Sequence, residues 1–334
     1  MAGGGAPLPR LGPLDLYADR VVIDDRHWDT LLSWCSPEFR REPWLHSPPE
    51  AWKVGGVVAH LGRLASFKRS IHLSGGTLNP PDRPKTVSLD DAEPYDDARP
   101  SERLRNSLLL LRRLIATERH SLRHGHGWFP HSHEVRTGEM RGVSIPCNLL
   151  TDLSIRMSYY RHRLLHLATT APRASRTYLE IGAGFGALAR YVLSDRRSRQ
   201  ARFVICDLPE FLPVCYWYLC ASGISVAPLG DTDADSARVV LTTGAGLPSV
   251  GAVDVAINTM SFQHMTRDNI NYYLGQIDRL GAEAVFLVNR DELRDPTDVP
   301  ISQYSRPSRY RVELDHVAWS GRRHREQVWR RDSA

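Results

Sequence analysis

Residues 177–190, TYLEIGAGFGALAR, constrain the fold more than any other part of the sequence. The segment opens with an apolar run suited to a buried parallel strand and ends in residues that favour a helix. Between them stand Gly182, Gly184 and Gly186. Such glycines let the backbone approach a ligand closely, and the first N–H groups of the helix then point at that ligand. The segment therefore predicts a strand, a turn and a helix that together hold a nucleotide-like molecule.

Two ligand classes fit this turn. Gly182, Gly184 and Ala187 match the alanine variant of a dinucleotide fingerprint. Glu180 and the three glycines also match the S-adenosylmethionine loop of a methyltransferase. No lysine follows Lys85, so a Tyr-x-x-x-Lys pair of the short-chain reductase type is excluded. The absence of lysine does not exclude a dehydrogenase that uses His or Asp.

Apolar runs recur after the glycine turn, with helical stretches between them. Strands are predicted at 202–206, 238–241, 253–257 and 284–288, and an antiparallel pair at 310–319 and 326–329. This alternation predicts an α/β, Rossmann-like doubly wound parallel sheet. A closing antiparallel pair is more typical of the class I methyltransferase form of that sheet than of the dinucleotide form.

The chain divides into three predicted parts. Residues 1–13 are rich in Gly and Pro and predict a disordered leader. Residues 14–150 lack a strand-and-crossover pattern and predict a mainly helical N-terminal cap, with helices at 28–34, within 49–73 and from Ser101 onward. Residues 151–334 form the predicted ligand-binding domain, and a helix at 152–168 leads into the glycine strand.

Composition excludes several classes of protein. The chain has 42% hydrophobic and 24% charged residues, and neither a spanning apolar run nor a signal pattern, which predicts a soluble, cytoplasmic protein without a membrane partner. Five cysteines without a C-x-x-C pair predict free thiols. The basic residues behind the net charge of +5 are densest at 196–199 and 322–331, and no nucleic-acid partner is predicted from these two groups. A homo-oligomer is compatible with the sequence.

Three segments together resemble the sugar O-methyltransferase family of class I S-adenosylmethionine-dependent enzymes. They are LEIGAGFG at 179–186, CDLPE at 206–210 and INTMSFQHM at 257–265, and the resemblance covers roughly residues 145–291. It implies S-adenosyl-L-methionine as cofactor and a sugar hydroxyl of a glycan, glycoside or natural-product intermediate as acceptor. The residues it implies for the cofactor are Glu180, Gly182, Ala183, Gly184, Gly186, Asp207, Leu208 and Asn258. Those it implies for the acceptor are Ser261 and Gln263, and the tyrosine-rich helix before the glycine strand adds Tyr160.

Relatives commonly carry Glu where this chain has His264. Methyl transfer from a sulfonium needs orientation and removal of the hydroxyl proton, and imidazole suits the second task near neutral pH. His264 is therefore the candidate general base, with a helix-start histidine that bonds the backbone as the alternative. The acceptor atom also stays open between oxygen, nitrogen and carbon, because these chemistries share the sheet and the cofactor loop.

Six potential metal ligands lie close together in the cap: His120, His124, His126, His131, His133 and Glu134. Their spacing matches no fixed ligand motif, and the neighbouring Gly125, Gly127 and Pro130 predict a solvated or substrate-facing loop. The acidic residues at the strand ends show no ligand pattern either. No metal site is therefore predicted, although a divalent ion is compatible with the fold.

The sequence thus favours a methyltransferase that acts on a small sugar or glycosylated molecule. Two alternatives remain: an NAD(P)-dependent oxidoreductase that uses the same cleft, and a catalytically silent methyltransferase-like partner protein.

Overall fold

The computed structural model describes residues 24–35, 37, 40, 100–126, 142–145, 148–167, 170–293, 298–319 and 323–332. The predicted leader at 1–13 and the predicted helix within 49–73 lie outside these ranges.

An eight-stranded sheet in the order β5-β6-β4-β3-β7-β8-β10-β9 forms the centre of the molecule. Its strands are β3 (Thr177–Ile181), β4 (Arg202–Cys206), β5 (Val226–Pro228), β6 (Val239–Thr242), β7 (Val255–Thr259), β8 (Ala284–Arg290), β9 (Tyr310–Val317) and β10 (His324–Arg331). The strands from β3 to β8 pair in parallel, whereas β10 runs antiparallel to both β8 and β9. Almost every residue of the central strands is buried, as expected for strands covered on both faces.

This order confirms the predicted fold class. From β3 the chain runs through β4 to β5 at the edge and returns to β6, which lies between β5 and β4. It then crosses to β7 and β8 on the other side of β3, so the order reverses between β3 and β7. The antiparallel pair β9 and β10 then closes the β8 side of the sheet. A doubly wound parallel sheet with this terminal pair is the class I methyltransferase form of the Rossmann-like fold.

Six α-helices lie in the described ranges. They are α1 (Asp25–Trp34), α2 (Pro100–Arg123), α3 (Asp152–His166), α4 (Ala187–Leu193), α5 (Leu212–Ala221) and α6 (Arg267–Leu280). Two separate apolar clusters cover the sheet, one containing α3, α4 and α5 and the other containing α6. Thr266 caps the N-terminus of α6, and Gly281 ends it in the left-handed conformation. The sheet is therefore the middle layer of three.

The two N-terminal helices contact opposite edges of the sheet. Arg26 of α1 donates to Asp233 beyond β5 at 2.8 Å, and the ring of His120 on α2 lies 4.9 Å from that of His316 on β9. No described helix is long and apolar enough to cross a membrane. The four described cysteines, Cys35, Cys206, Cys215 and Cys220, are free thiols, as expected.

The structure departs from the predicted elements in three places. Residues 14–150 are not only helical, since β1 (Gly142–Ile145) and β2 (Asn148–Thr151) form an antiparallel hairpin. The predicted boundary after residue 150 therefore falls inside β2. The short β5 extends the sheet by one parallel strand that was not predicted. Between β6 and β7 the chain forms only the 3₁₀ segment Gly244–Ser249 instead of a crossover α-helix.

Candidate functional site

The glycine turn lies at the carboxyl end of β3, where open α/β sheets bind their ligands. Gly182, Gly184 and Gly186 have φ angles of +74°, +62° and +83°, a region that side chains with a Cβ rarely occupy. Gly186 is the residue before α4, and its N–H donates to the carbonyl of Ala183 at 3.2 Å. The pattern of glycines is thus required by the backbone of the turn itself.

Two of these glycines also face side chains at very short range. A Cβ at position 182 would overlap the Ser261 side chain, and one at position 186 would lie 2.8 Å from Cys215 Sγ. A Cβ at position 184 would meet nothing within 4 Å among the described residues. Gly182 therefore allows the turn and the segment after β7 to approach each other, and Gly184 leaves its outer side open.

The Glu180 carboxyl group is buried under this turn. The residue is 3% exposed, and Oε2 has no hydrogen-bond partner among the described residues. Burial, and then the nearby charge of Asp207, raises the pKa of Glu180 to about 8. A buried acceptor without a partner is uncommon in proteins. Because a cationic group beside it would favour its ionised form, Glu180 fits the amino group of a methionine moiety.

Asp207 lies directly after β4 and connects that strand to the glycine turn. Its Oδ2 accepts from the Gly184 N–H at 2.7 Å, and its Oδ1 accepts from the Leu208 N–H at 2.7 Å. A carboxylate oxygen accepts more than one hydrogen bond. The side chain of Leu208 is partly buried against the apolar cluster. A carboxylate and an apolar side chain at this strand end suit a ribose and an adenine.

Two asparagines connect the ends of β3, β7 and β8. Asn258, which is fully buried, donates to the Ile181 carbonyl at 2.8 Å and accepts from the Phe262 N–H at 3.1 Å. It also accepts from Asn289 Nδ2 at 2.9 Å. These bonds give Asn258 a positioning role in this structure. Its predicted contact with the cofactor stays a prediction.

The backbone is strained beside this pair of asparagines. Met260 has a φ of +57°, the only positive φ of a non-glycine residue in the described ranges. Its N–H donates to the Val288 carbonyl at 2.7 Å, which holds the turn against β8. Residues held in this region of φ often cluster at ligand sites. Ser261 follows at once and packs on Gly182.

Gln263 is buried and lies beside the exposed His264. Its Oε1 accepts from the Arg290 N–H at 3.1 Å, and its Nε2 lies 3.2 Å from His264 Nε2. Since Oε1 is the acceptor in the first bond, Nε2 is the donor in the second, and His264 Nε2 carries no proton in that arrangement. The Gln263 amide thus occupies the lone pair of His264 Nε2. The role of His264 as general base stays a prediction.

Tyr160 lies away from the cleft, in the core. It is fully buried on α3, and its ring packs edge-on against Phe286 of β8 with centroids 5.8 Å apart. The structure therefore shows packing at this position and no surface toward the turn. A role of Tyr160 in acceptor binding remains a prediction.

The histidine-rich segment is only partly a loop. His120 belongs to the last turn of α2, and His124 and His126 follow directly. The pKa of His120 is lowered to about 3, mainly by burial and then by the neighbouring His316. The pKa of His126 is also lowered to about 3, mainly by burial and then by the charge of Arg163. His131, His133 and Glu134 lie outside the described residues. The prediction of a loop was therefore wrong for His120. This residue lies in a helix, and its ring is close to that of His316 on β9.

Sequence reasoning missed the bond between Asn258 and Asn289 and the raised pKa of Glu180. The position of Asn289, just before the end of a parallel strand next to β7, was the available signal, because neighbouring strand ends meet at one edge. The burial of Glu180 had no signal in sequence, since it depends on elements that come together only in the folded chain.

The comparisons return structural matches only. No protein-family model matches the chain, and no curated protein matches it. The solved structure of the small RNA methyltransferase HEN1 is 14% identical with a TM-score of 0.39, over 54% of this chain and 25% of that one. The solved structure of the pyocyanin biosynthetic protein PhzM is 17% identical with a TM-score of 0.35, over 53% of this chain and 57% of that one.

A third structure is that of an O-methyltransferase family 2 protein from Planctomyces limnophilus in complex with apigenin. It is 13% identical with a TM-score of 0.39, over 54% of this chain and 60% of that one. The chain thus spans between a quarter and three fifths of the length of these three proteins. The fold assignment rests on the strand order and the closing antiparallel pair, because likeness at this level does not extend to activity or substrate.

Proposed function

We propose that the protein transfers a methyl group from S-adenosyl-L-methionine to a sugar hydroxyl of a glycan, glycoside or natural-product intermediate. The observation that carries the proposal is the pair of carboxyl groups at one glycine turn: Glu180, which is buried in the strand before the turn, and Asp207, which accepts from the Gly184 N–H. Such a pair suits a ligand that has a cationic amino group at one end and a ribose at the other.

The cofactor would supply an activated methyl group, so the residues of the chain need only bind, orient and accept a proton. In the proposed arrangement Glu180 faces the amino group, the turn from Gly182 to Gly186 follows the methionine chain, and Asp207 receives the ribose hydroxyls. Leu208 packs beside the adenine. Asn258 supports this set through the Ile181 carbonyl and the Phe262 N–H.

His264 is the proposed general base, with Ser261 and Gln263 on the acceptor side. Because Gln263 Nε2 occupies the lone pair of His264 Nε2, the acceptor hydroxyl must displace that amide before the ring takes its proton. Gln263 thereby holds the ring in one tautomer until the acceptor arrives. The sugar acceptor is proposed from the resemblance in the segment at 257–265.

Calorimetric titration of the purified full chain with S-adenosylhomocysteine, and separately with NADH, tests the cofactor. Micromolar binding of the first alone supports the proposal. Binding of NADH alone would overturn it in favour of the oxidoreductase. Binding of S-adenosylmethionine with no turnover on a panel of sugars and glycosides would favour the silent partner protein.

The proposed role of His264 as general base is tested with the first acceptor that the protein methylates. His264→Ala should lower kcat by about 10²-fold or more, the usual contribution of a general base, and leave the affinity for S-adenosylhomocysteine unchanged. His166→Ala, a change at another exposed histidine, is the matched control and should keep wild-type kcat. A kcat of His264→Ala within a few-fold of wild type would remove His264 from the mechanism.

A further inference from the structure

Three histidines from two distant parts of the chain form a compact cluster at the edge of the sheet. His120 belongs to the last turn of α2, His124 follows the helix directly, and His316 lies at the end of β9. One ring nitrogen of each lies within 4.8 Å of one ring nitrogen of the other two. The rings of His124 and His316 stack with centroids 4.0 Å apart, and the ring of His120 lies 4.5 Å from the first and 4.9 Å from the second.

The backbone brings these three rings close together. His120 and His124 are four residues apart, which places them on the same face one helical turn from each other. The His124 N–H donates to the His120 carbonyl at 3.1 Å, so this turn keeps helical geometry beyond the end of α2. His316 stands opposite Glu326 of β10, which places the cluster near the carboxyl ends of the parallel strands.

The cluster leaves its inner nitrogens without partners. Nε2 of His120 and Nε2 of His316 are buried and have no hydrogen-bond partner among the described residues. His316 Nδ1 lies 3.0 Å from the Val317 carbonyl, and therefore carries the proton of the neutral ring. This leaves a lone pair on Nε2 that points into the protein. A backbone carbonyl on the outer nitrogen is the arrangement that orients histidine ligands in metal sites.

The groups beside the cluster are already bonded to one another. Glu326 accepts from Arg163 Nε at 2.6 Å and from the Tyr159 hydroxyl at 2.7 Å. His126 Nδ1 lies 3.0 Å from Arg163 Nη1, which is always a donor, so the neutral ring of His126 has its proton on Nε2. His126 and Glu326 thus border the cluster, and the three inner rings remain as the ligand set.

We propose that His120, His124 and His316 bind one divalent transition-metal ion of the zinc class, which links α2 to β9. Three neutral imidazoles suit Zn²⁺, Co²⁺, Ni²⁺ or Cu²⁺ and not the oxygen-seeking Mg²⁺ or Ca²⁺. The ion gives the two buried Nε2 atoms a partner and ties the N-terminal part of the chain to the closing strand pair. The proposal is independent of the proposed methyl transfer.

The test uses the full chain with any affinity tag removed, stripped of metal with a chelator and dialysed. Titration with Zn²⁺ should show one equivalent bound, and Co²⁺ should give the visible absorption of a low-coordinate nitrogen site. Mg²⁺ should not compete. Saturating Zn²⁺ should raise the Tm of the wild type, because the three histidines come together only in the folded chain.

Variants assign the ligands. His316→Gln should lower the Zn²⁺ affinity at least 10-fold and abolish the rise in Tm, whereas His166→Gln, at an exposed histidine of α3, should leave both unchanged. His124→Gln provides a second ligand variant at a partly exposed position, so it should fold even where His316→Gln does not. The absence of stoichiometric Zn²⁺ binding, or wild-type affinity in folded His124→Gln, would overturn the proposal.

Discussion

At the scale of single residues, Glu180 is a buried carboxyl group of the proposed site with a raised pKa. Its pKa is about 8 in the folded chain, where burial and then Asp207 raise it, against an ordinary value of 4.5. Between these two values the folded state keeps a proton that the unfolded state has lost. Stability therefore falls as the pH rises through this range, and the loss is complete above the folded value.

Glu180→Gln should remove this loss. Above about pH 8 the ligand-free variant should have a higher Tm than the wild type, and near pH 4.5 the two should coincide, because the wild-type carboxyl is then neutral in the folded state. Thermal scans across this pH range measure the difference. Glu292→Gln, at an exposed glutamate, is the control, and equal Tm differences for both variants at every pH would contradict the assignment to Glu180.

Two glycines of the same turn differ in what surrounds them, and this gives a second prediction. Gly184→Ala should cost about 1–2 kcal/mol of unfolding free energy, since it adds only the strain of a Cβ at positive φ. Gly182→Ala should cost about 1–3 kcal/mol more, because its Cβ also overlaps the Ser261 side chain. Urea denaturation of both ligand-free variants measures the two losses of unfolding free energy. Equal losses would mean that only the positive φ matters and that the contact with Ser261 does not.

At the scale of secondary-structure elements, the asparagine pair holds three strand ends together. Asn258→Ala leaves the Ile181 carbonyl, the Phe262 N–H and Asn289 Nδ2 without this partner in the interior. Because each buried group that loses its partner costs about 1–3 kcal/mol, the variant should lose about 3 kcal/mol or more of unfolding free energy. It should also bind S-adenosylhomocysteine more weakly.

Asn269→Ala is the matched control, since this asparagine is exposed in the first turn of α6. It should change the unfolding free energy by no more than about 0.5 kcal/mol. Chemical denaturation measures both variants. A cost for Asn258→Ala as small as that of the control would mean that these bonds are replaced by water in solution.

The elements that sequence predicted best are those with a local signal. The strands β3, β4 and β8 lie in apolar runs that were predicted from the sequence. The strand β5 is only three residues long and carries no pattern that separates it from a loop. The hairpin of β1 and β2 was also missed, because neither GVSI nor NLLT contains the run of three apolar residues that marks the equally short β6.

At the scale of the whole molecule, the unpredicted features are those that join distant parts of the chain. The resemblance of three segments placed Glu180, Asp207 and Asn258 at the cofactor site, and in the structure they lie at or just after the ends of β3, β4 and β7. Their contact with the cofactor stays a prediction. The bond between Asn258 and Asn289 joins two strands that are separated in sequence by α6. His316 carries no motif of its own, and only the return of β9 to the edge of the sheet brings it to His120. Such groupings depend on packing, which the local pattern of a segment does not contain.

Binding of the proposed cofactor should be linked to proton release from the whole protein. At pH 7 the ligand-free Glu180 is mostly protonated, because its pKa is about 8. A cationic amino group next to it favours the carboxylate, so binding should release up to one proton and tighten as the pH rises toward 8. Calorimetry of S-adenosylhomocysteine in buffers with different ionisation enthalpies measures the proton count directly.

Glu180→Gln separates this linkage from other protonation changes. The variant should bind about 10-fold or more weakly, since a hydrogen bond to a charged group is worth about 1.5–3 kcal/mol, and its binding enthalpy should no longer depend on the buffer. A buffer dependence equal to that of the wild type would assign the proton to another group. A wild-type enthalpy without any buffer dependence would mean that Glu180 stays protonated in the complex, and that its carboxyl group does not face the amino group.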